Sequence, residues 1–267
     1  MDLSIVIVNY NSLVKTKRCL ESIFAAEMNG IDFEVIVVDN NSKKAEQEEI
    51  KKISFKIKYI RSQINLGMGG GNNLGISSAF GKYILILNPD IVVQADSVLK
   101  LFNYLKNNTN IGIIGPKLLN PDGSLQYSCA LFPSLLIPIL RRTLVGRIFS
   151  ERALSYTMAN VSHEETMPVD WLMGSCLMFR KSDWTHFDER YFMYFEDIDL
   201  CRQCWEKGLQ VVYYPKAVML HDHARQSARK FWFLAIFQDS LARQHLRSYF
   251  VYFLKWGIKK TNYQKQV

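Results

Sequence analysis

The stretch Phe192 to Gln203 reads FMYFEDIDLCRQ, three carboxylates directly behind an aromatic run. Acids at a helix start are favoured by the helix dipole, which is a sufficient structural reason for Glu196, Asp197 and Asp199. The chemical reason is a general base at a pocket wall, Asp197, with aromatic neighbours excluding water. Desolvation raises the pKa of such a carboxyl and a nearby cation lowers it. Three more polar clusters each follow a short apolar run: Asn9-Tyr10-Asn11, Asp39-Asn40-Asn41 and Asn88-Pro89-Asp90. Asp39 can accept hydrogen bonds from a ribose hydroxyl or a base N–H. Asp90 is a hard oxygen ligand, and Mg²⁺ or Mn²⁺ takes one or two carboxylates plus substrate phosphates. The same residue can simply cap the following helix. In His221-Asp222-His223, strand alternation sends the two histidines to one side and Asp222 to the other. One histidine then completes a metal shell, or is a hydrogen-bonded structural residue.

The run Asn65 to Asn73, NLGMGGGNN, contains GxG, but Asn72 stands where a dinucleotide fingerprint has its third glycine. It also follows the third strand rather than the first, so it does not read as a nicotinamide site. What remains is a glycine-rich turn that lets backbone approach a ligand, and a helix N-terminus that favours phosphate.

The elements that would position these groups follow from periodicity. Leu3–Val8, Phe33–Val38, Ile57–Ile60 and Tyr83–Leu87 read as buried parallel strands. Residues 13–28, 43–52, 76–80 and 95–106 read as helices between and after them. Strand and helix alternating through short links imply right-handed βαβ units, in which ligands bind beyond the carboxyl ends of the strands. The three polar clusters lie at those ends, although Asn and Asp also make good turns. Further on, Ile113–Leu119 reads as a strand, Pro121–Ser124 as a hairpin turn, and residues 132–168 as a flexible or membrane-facing insert. Residues 197–207 read as a helix ended by Gly208, Val211–Tyr214 and Val218–Leu220 as strands, and residues 227–256 as a long helical stretch.

The chain has 267 residues, of which 48% are hydrophobic and 22% charged, suiting one large α/β domain with a short appendage. Its formal net charge of +8 suggests an anionic partner: a phosphorylated substrate, a membrane surface or nucleic acid. Nucleic acid explains none of the acidic strand ends, since carboxylates repel phosphate unless a metal intervenes. Five cysteines at irregular spacing point to a reducing compartment, and Cys201-x-x-Cys204 reads as structural rather than as a zinc or redox pair. The N-terminus has no secretory pattern and no apolar run approaches 18 residues. The expected location is the cytoplasm, free or peripheral on the inner face of the membrane.

Taken together, SIVIVNYNS, VIVVDNNS, NLGMGGGNN, LILNPD, GPKLLNPDGSLQYS, WLMGSCLMFRKSDW, FDERYFMYFEDIDLCRQ and VVYYPKAVMLHDHARQSAR, in that order, resemble glycosyltransferase family 2 and its rhamnosyltransferase-like members. The resemblance implies a GT-A fold, a mixed and mainly parallel sheet flanked by helices, over residues 1–225. Residues 1–120 would form the nucleotide-sugar half and 121–225 the acceptor and catalytic half. It implies an inverting transfer from a nucleotide-sugar donor, best dTDP-L-rhamnose, to a lipid-linked surface-polysaccharide acceptor. Asp197 would be the catalytic base, and Asp90 with His221 would hold Mg²⁺ or Mn²⁺. Asn9, Asn11, Asp39, Asn65, Gly67, Asn72, Asn88 and Asp90 would contact the donor, and Trp171, Gly174 and Glu196 the acceptor. Asn88 stands where many members have an acid, and Thr185-His186 where a Gly-Gly usually precedes Phe-Asp-Glu. A nucleotidyltransferase would place its glycine-rich loop after the first strand, and an inactive scaffold would have no need of intact Asp39, Asp90, Asp197 and His221. The C-terminal residues 226–267, rich in aromatic and basic side chains, are expected to form an amphipathic helical region on an anionic leaflet or to pack on the core.

Overall fold

The computed structural model describes residues 1–53, 57–134, 156–183, 186–222, 240–258 and 263. Most of the 132–168 insert, His223, Thr185 and the stretch 227–239 lie outside the described residues. The chain opens with β1 (Leu3–Asn9), α1 (Leu13–Ala25), β2 (Phe33–Asp39), α2 (Lys44–Lys51), β3 (Lys58–Arg61), α3 (Gly67–Ser77) and β4 (Tyr83–Leu87). It continues through β5 (Ile91–Val93), α4 (Ser97–Asn107), β6 (Ile111–Leu119), β7 (Leu125–Gln126), β8 (Cys129–Ala130), β9 (Met167–Pro168), β10 (Trp171–Leu172) and β11 (Cys176–Arg180). Then follow α5 (Glu196–Glu206), β12 (Gln210–His221) and α6 (Ser240–Trp256).

One large sheet runs β3-β2-β1-β4-β11-β6-β12-β5, with β7 added to β6 and β9 to β12. The first four strands are parallel. β11 then enters antiparallel between β4 and β6, and β6 and β12 are parallel again. β1 is buried along its whole length because helices cover both faces. Its alternation divides the core. Val6 and Val8 face a cluster with Ile76 of α3, Ile198 and Trp205 of α5, and Tyr252 of α6. Ile5 and Ile7 face one with Leu20 and Ile23 of α1, Ile50 of α2, and Leu101 and Phe102 of α4.

The structure departs from the sequence reading in three places. The glycine-rich run is itself helix α3 rather than a turn before one. Its glycines serve packing: a Cβ on Gly75 would lie 2.3 Å from Val6 Cγ1, and one on Gly67, at φ +75°, would lie 2.1 Å from the Phe192 carbonyl oxygen. Only glycine lets α3 press this closely on β1 and on the segment before α5. Second, Val211–Tyr214 and Val218–Leu220 belong to one strand, β12, with a register shift between Tyr214 and Val218. Third, Ile91–Val93 is an additional strand, pairing antiparallel with β12 so that His221 lies opposite Ile91. Within the C-terminal tract, the buried face of α6, Tyr249 and Tyr252, joins the core, one of the two expectations for it, while Leu246, Phe250, Leu254 and Ile258 are exposed.

Candidate active site

At the end of β1, Asn9 is wholly buried and all its side-chain partners are protein groups. Its Nδ2 donates to Asp39 Oδ1 at 3.3 Å and Ser42 Oγ at 2.9 Å, and its Oδ1 accepts from Thr16 Oγ1 at 2.8 Å. Asn9 therefore orients Asp39 from below. Asp39, at the tip of β2, keeps Oδ2 without a hydrogen bond. Its charge, after burial, helps raise the neighbouring Tyr59 phenol to about 12. Asn11 is exposed at φ +50°, donating its N–H to Ser42 Oγ and accepting from Lys43 N on Oδ1.

Asn40, which the sequence reading treated only as part of a cluster, ties this corner to the start of α3. It donates to Asn65 Oδ1 and to the Gly67 carbonyl, both at 3.0 Å, and accepts from Leu66 N at 2.8 Å. Asn65 Oδ1 also accepts from Gly67 N. Asn73 does similar work further along α3, bonding both backbone groups of Phe187 and the Glu189 carboxylate. Asn72, beside it, is buried.

The second corner is built by β4, β5 and β12. The pairing of β5 with β12, extended by a hydrogen bond from Asp222 N to the Asp90 carbonyl, brings Asp90 beside His221. Asp90 Oδ1 lies 3.3 Å from His221 Nε2, and His221 Nδ1 lies 2.6 Å from Gln126 Oε1. With Nδ1–H donating to Gln126, Nε2 and the carboxylate need a proton or a cation between them. Burial pushes the Asp90 carboxyl up, but the hydrogen bond and charge of His221, and then Lys15, outweigh it and hold it below its ordinary value. Lys15 Nζ sits 3.3 Å from Asp90 Oδ2. Among the described residues no group of three or more His, Cys, Asp or Glu converges. One carboxylate and one imidazole fit a divalent ion whose other ligands are substrate oxygens and water. The orphaned, buried Asn88 Oδ1 at the same strand end has room for one more polar partner.

The third corner is the start of α5. Tyr194 and Phe195 both take left-handed backbone, at φ +68° and +69°. Two such bulky residues in succession are strained, and the strain turns the chain sharply into the helix. It presents Asp197 to the loop between β10 and β11. Asp197 Oδ2 accepts from Gly174 N at 2.9 Å and Oδ1 from Ile198 N at 2.9 Å. Gly174 is next to Ser175, whose carbonyl accepts from Asn88 N at 2.8 Å. A short backbone bridge thus connects Asp197 to the strand end that carries Asp90. Burial raises the Asp197 carboxyl above its ordinary value, against its backbone hydrogen bonds. Burial first, and the charge of Asp197 second, raise Glu196 to about 8. Glu196 Oε2 is buried without a partner.

Asp199, the third acid of the run, has a different job. It is wholly buried and accepts from Trp256 Nε1, Gln203 Nε2, Lys255 Nζ and Tyr191 Oη. Trp171 is half-buried, its Nε1 donating to the Leu131 carbonyl at 2.8 Å. Cys201 and Cys204 are buried free thiols, Cys204 pushed up by burial to about 12, so the CxxC spacing is a packing feature of α5.

The first two corners sit at the carboxyl ends of the sheet's parallel strands, and the third meets them at the amino end of the antiparallel β11. The chain is 28% identical over 243 residues to N-acetylglucosaminyl-diphospho-decaprenol L-rhamnosyltransferase of Mycobacterium tuberculosis, covering 85% of this chain and 78% of that one. It is 29% identical over 262 residues to rhamnosyltransferase WbbL of Escherichia coli, covering 93% and 91%. In three dimensions it superposes on GalNAc-T7, solved with UDP, GalNAc and Mn²⁺, with a TM-score of 0.62 at 15% identity, over 84% of this chain and 44% of that chain. It also superposes on residues 1–349 of S. aureus TarS, with a TM-score of 0.58 at 15% identity, over 100% and 77%. The fold is that of the GT-A glycosyltransferases. Because the model for "Glycosyl transferase family 2" matches residues 4–167, well over half of the chain, this protein belongs to glycosyl transferase family 2 and is a glycosyltransferase.

Proposed function

We propose that the protein transfers L-rhamnose, with inversion, from dTDP-L-rhamnose to a hydroxyl of a lipid-linked surface-polysaccharide acceptor. The names of the mycobacterial and Escherichia coli relatives support the sugar, and the former supports a lipid diphosphate acceptor. Asp39, oriented by Asn9, recognises the base or ribose, and Asn11, Asn65, Gly67 and Asn72 line the nucleotide side. Asn88 and Asp90 lie at the diphosphate. Asp90 and His221 would hold a divalent ion, Mg²⁺ or Mn²⁺, which would supply positive charge to the leaving diphosphate. Trp171, Gly174 and Glu196 border the acceptor. Residues 1–120 contribute the nucleotide-sugar half and residues 121–225 the catalytic half.

The observation that carries this reading is the setting of Asp197. Two backbone N–H groups fix its carboxylate at the helix start, one bridge away from Asn88-Pro89-Asp90. Held this way, it takes the proton from the acceptor hydroxyl as that oxygen attacks the anomeric carbon. The bond from that carbon to the diphosphate breaks in the same displacement, with no covalent sugar–enzyme intermediate. Burial raises both carboxyls of the pair, and Glu196, whose Oε2 has no partner, borders the acceptor beside Asp197.

A general base contributes about 10²- to 10⁴-fold, so Asp197→Asn loses at least that much turnover. Thermal shift with dTDP-L-rhamnose, UDP-glucose, UDP-galactose and GDP-mannose, each with Mg²⁺ or Mn²⁺, reports donor binding in parallel. The expected outcome is a selective shift with the dTDP sugar, kept in Asp197→Asn and lost in Asp39→Ala. Unchanged turnover in Asp197→Asn sinks the base assignment, and a selective shift with another donor replaces the sugar.

A further inference from the structure

Lys15 is a cation that the reaction above leaves without a task. It lies in the first turn of α1 and its side chain is partly exposed. Its ammonium reaches across to the opposite corner, 3.3 Å from Asp90 Oδ2 and 3.0 Å from the Asp222 carbonyl oxygen. One turn along α1, Arg18 pairs with the Asp222 carboxylate at 3.2 Å, so that acid does not compete for Lys15. Asp90 thus has His221 on one oxygen and Lys15 on the other, while Asn88, two residues before it, is neutral and carries an unpartnered buried oxygen.

The charges at this corner point to a phosphate ligand. Asp90 and Lys15 cancel. A dication at Asp90 and His221 then leaves two positive charges, matching the two negative charges of a nucleoside diphosphate sugar. When the anomeric bond breaks, its electron pair stays on the diphosphate oxygen and a third negative charge appears there. Lys15 carries one of the charges in that sum; with a dication on Asp90 its flexible ammonium would be free to contact the diphosphate, since a lysine binds phosphate as a mobile point charge.

Resting on the reading of this corner as the diphosphate site, we infer that Lys15 is a diphosphate-binding residue. It pairs with Asp90 and turns to the diphosphate oxygens when a nucleotide enters. It thereby supplies, from the chain, part of the positive charge that the missing acid at Asn88 leaves the site less able to recruit as metal.

The test is titration calorimetry of dTDP and of UDP with the full chain, in EDTA and in Mg²⁺, for the wild type, Lys15→Met, Lys15→Arg and Asp90→Asn. A hydrogen bond to a charged group is worth about tenfold or more in affinity. Lys15→Met is expected to weaken binding by roughly that factor in both media, most visibly in EDTA, and Lys15→Arg to recover most of it. Asp90→Asn is expected to lose the Mg²⁺ enhancement and keep the EDTA affinity, since Lys15 remains. Lys15→Met that binds as tightly as wild type in EDTA, or more tightly in Mg²⁺, overturns the inference and makes Lys15 a placeholder on Asp90. Wild-type protein that binds neither nucleotide in Mg²⁺ overturns the underlying site reading as well, a result distinguishable from the first.

Discussion

Glu196 and Asp197 are neighbours with different proton affinities and different partners. Asp197 has a backbone N–H on each oxygen, and Glu196 has a buried oxygen with none. Glu196 is raised from 4.5 to about 8, by burial and then by the charge of Asp197. A carboxyl whose folded pKa lies above its unfolded value binds more protons when folded. Its contribution is present below the ordinary carboxylate range and is lost as pH rises toward and through about 8. Glu196→Gln removes that loss. Its unfolding temperature is expected to fall less between about pH 6 and about pH 9 than that of the wild type, with turnover at neutral pH kept within about tenfold. Identical pH profiles would show that Glu196 ionises freely. At this scale the sequence was informative about residue types at strand ends and poor about their division of labour. Asp39, Asp90 and His221 stood out because acids and histidine after apolar strands are conspicuous, and Asp197 because it lies in a run of acids behind aromatic residues. Lys15, Asn40 and Asn73 did not, because a lysine or asparagine on a helix or turn looks ordinary until its partner, 25 to 114 residues away, is known.

Helix α6 is where an element-level reading of the sequence divided. Its aromatic and basic residues suggested either a lipid surface or packing, and one face of α6 packs on the core. On the inner face, Trp256 and Lys255 reach Asp199, Lys255 also bridges to Asp188, and Ser248 Oγ donates to the Met193 carbonyl beside the strained turn. Arg202 of α5 donates to Tyr252 Oη and lies over the Trp256 ring. The helix that carries Asp197 is therefore braced by α6. Removing one partner of a buried ion pair costs about 3 to 5 kcal/mol. Lys255→Met is expected to lose stability of that order in urea unfolding, whereas Lys51→Met, at an exposed pair with Glu48, is expected to lose less than about 0.5 kcal/mol. Equal, small losses would show that α6 is not a brace. The outer face carries Leu246, Phe250 and Leu254 at helical spacing, with Arg247 also exposed, and Ile258 is exposed just past the helix end. Among the described residues no helix is long and apolar enough to cross a membrane. If this ridge rests on an anionic leaflet, Leu254→Glu changes stability by less than about 0.5 kcal/mol yet reduces sedimentation with phosphatidylserine vesicles. Unaltered sedimentation would remove the ridge from that role.

For the molecule as a whole, the first half was legible because β1 is buried throughout and β2 and β4 along most of their length, so that they read as continuous apolar runs, with helices at short range. The second half was less so. β5, β8, β9 and β10 are two or three residues long, too short to show a period, and β12 looked like two strands because a bulge interrupts it. The order of the sheet was not readable from pattern at all, since β11 joins β4 and β6 from about 60 to 90 positions further along the chain. That insertion bears on how the protein is made. As the chain leaves the ribosome, β1 to β4 can assemble at once, but β4 then presents a bare edge and β6 waits without either of its main neighbours. The gap between them closes only when residues 176–180 emerge, and β6 gains its other flank only after β12. The nascent protein therefore passes through an interval with two open sheet edges, during which it is most dependent on being shielded from other chains.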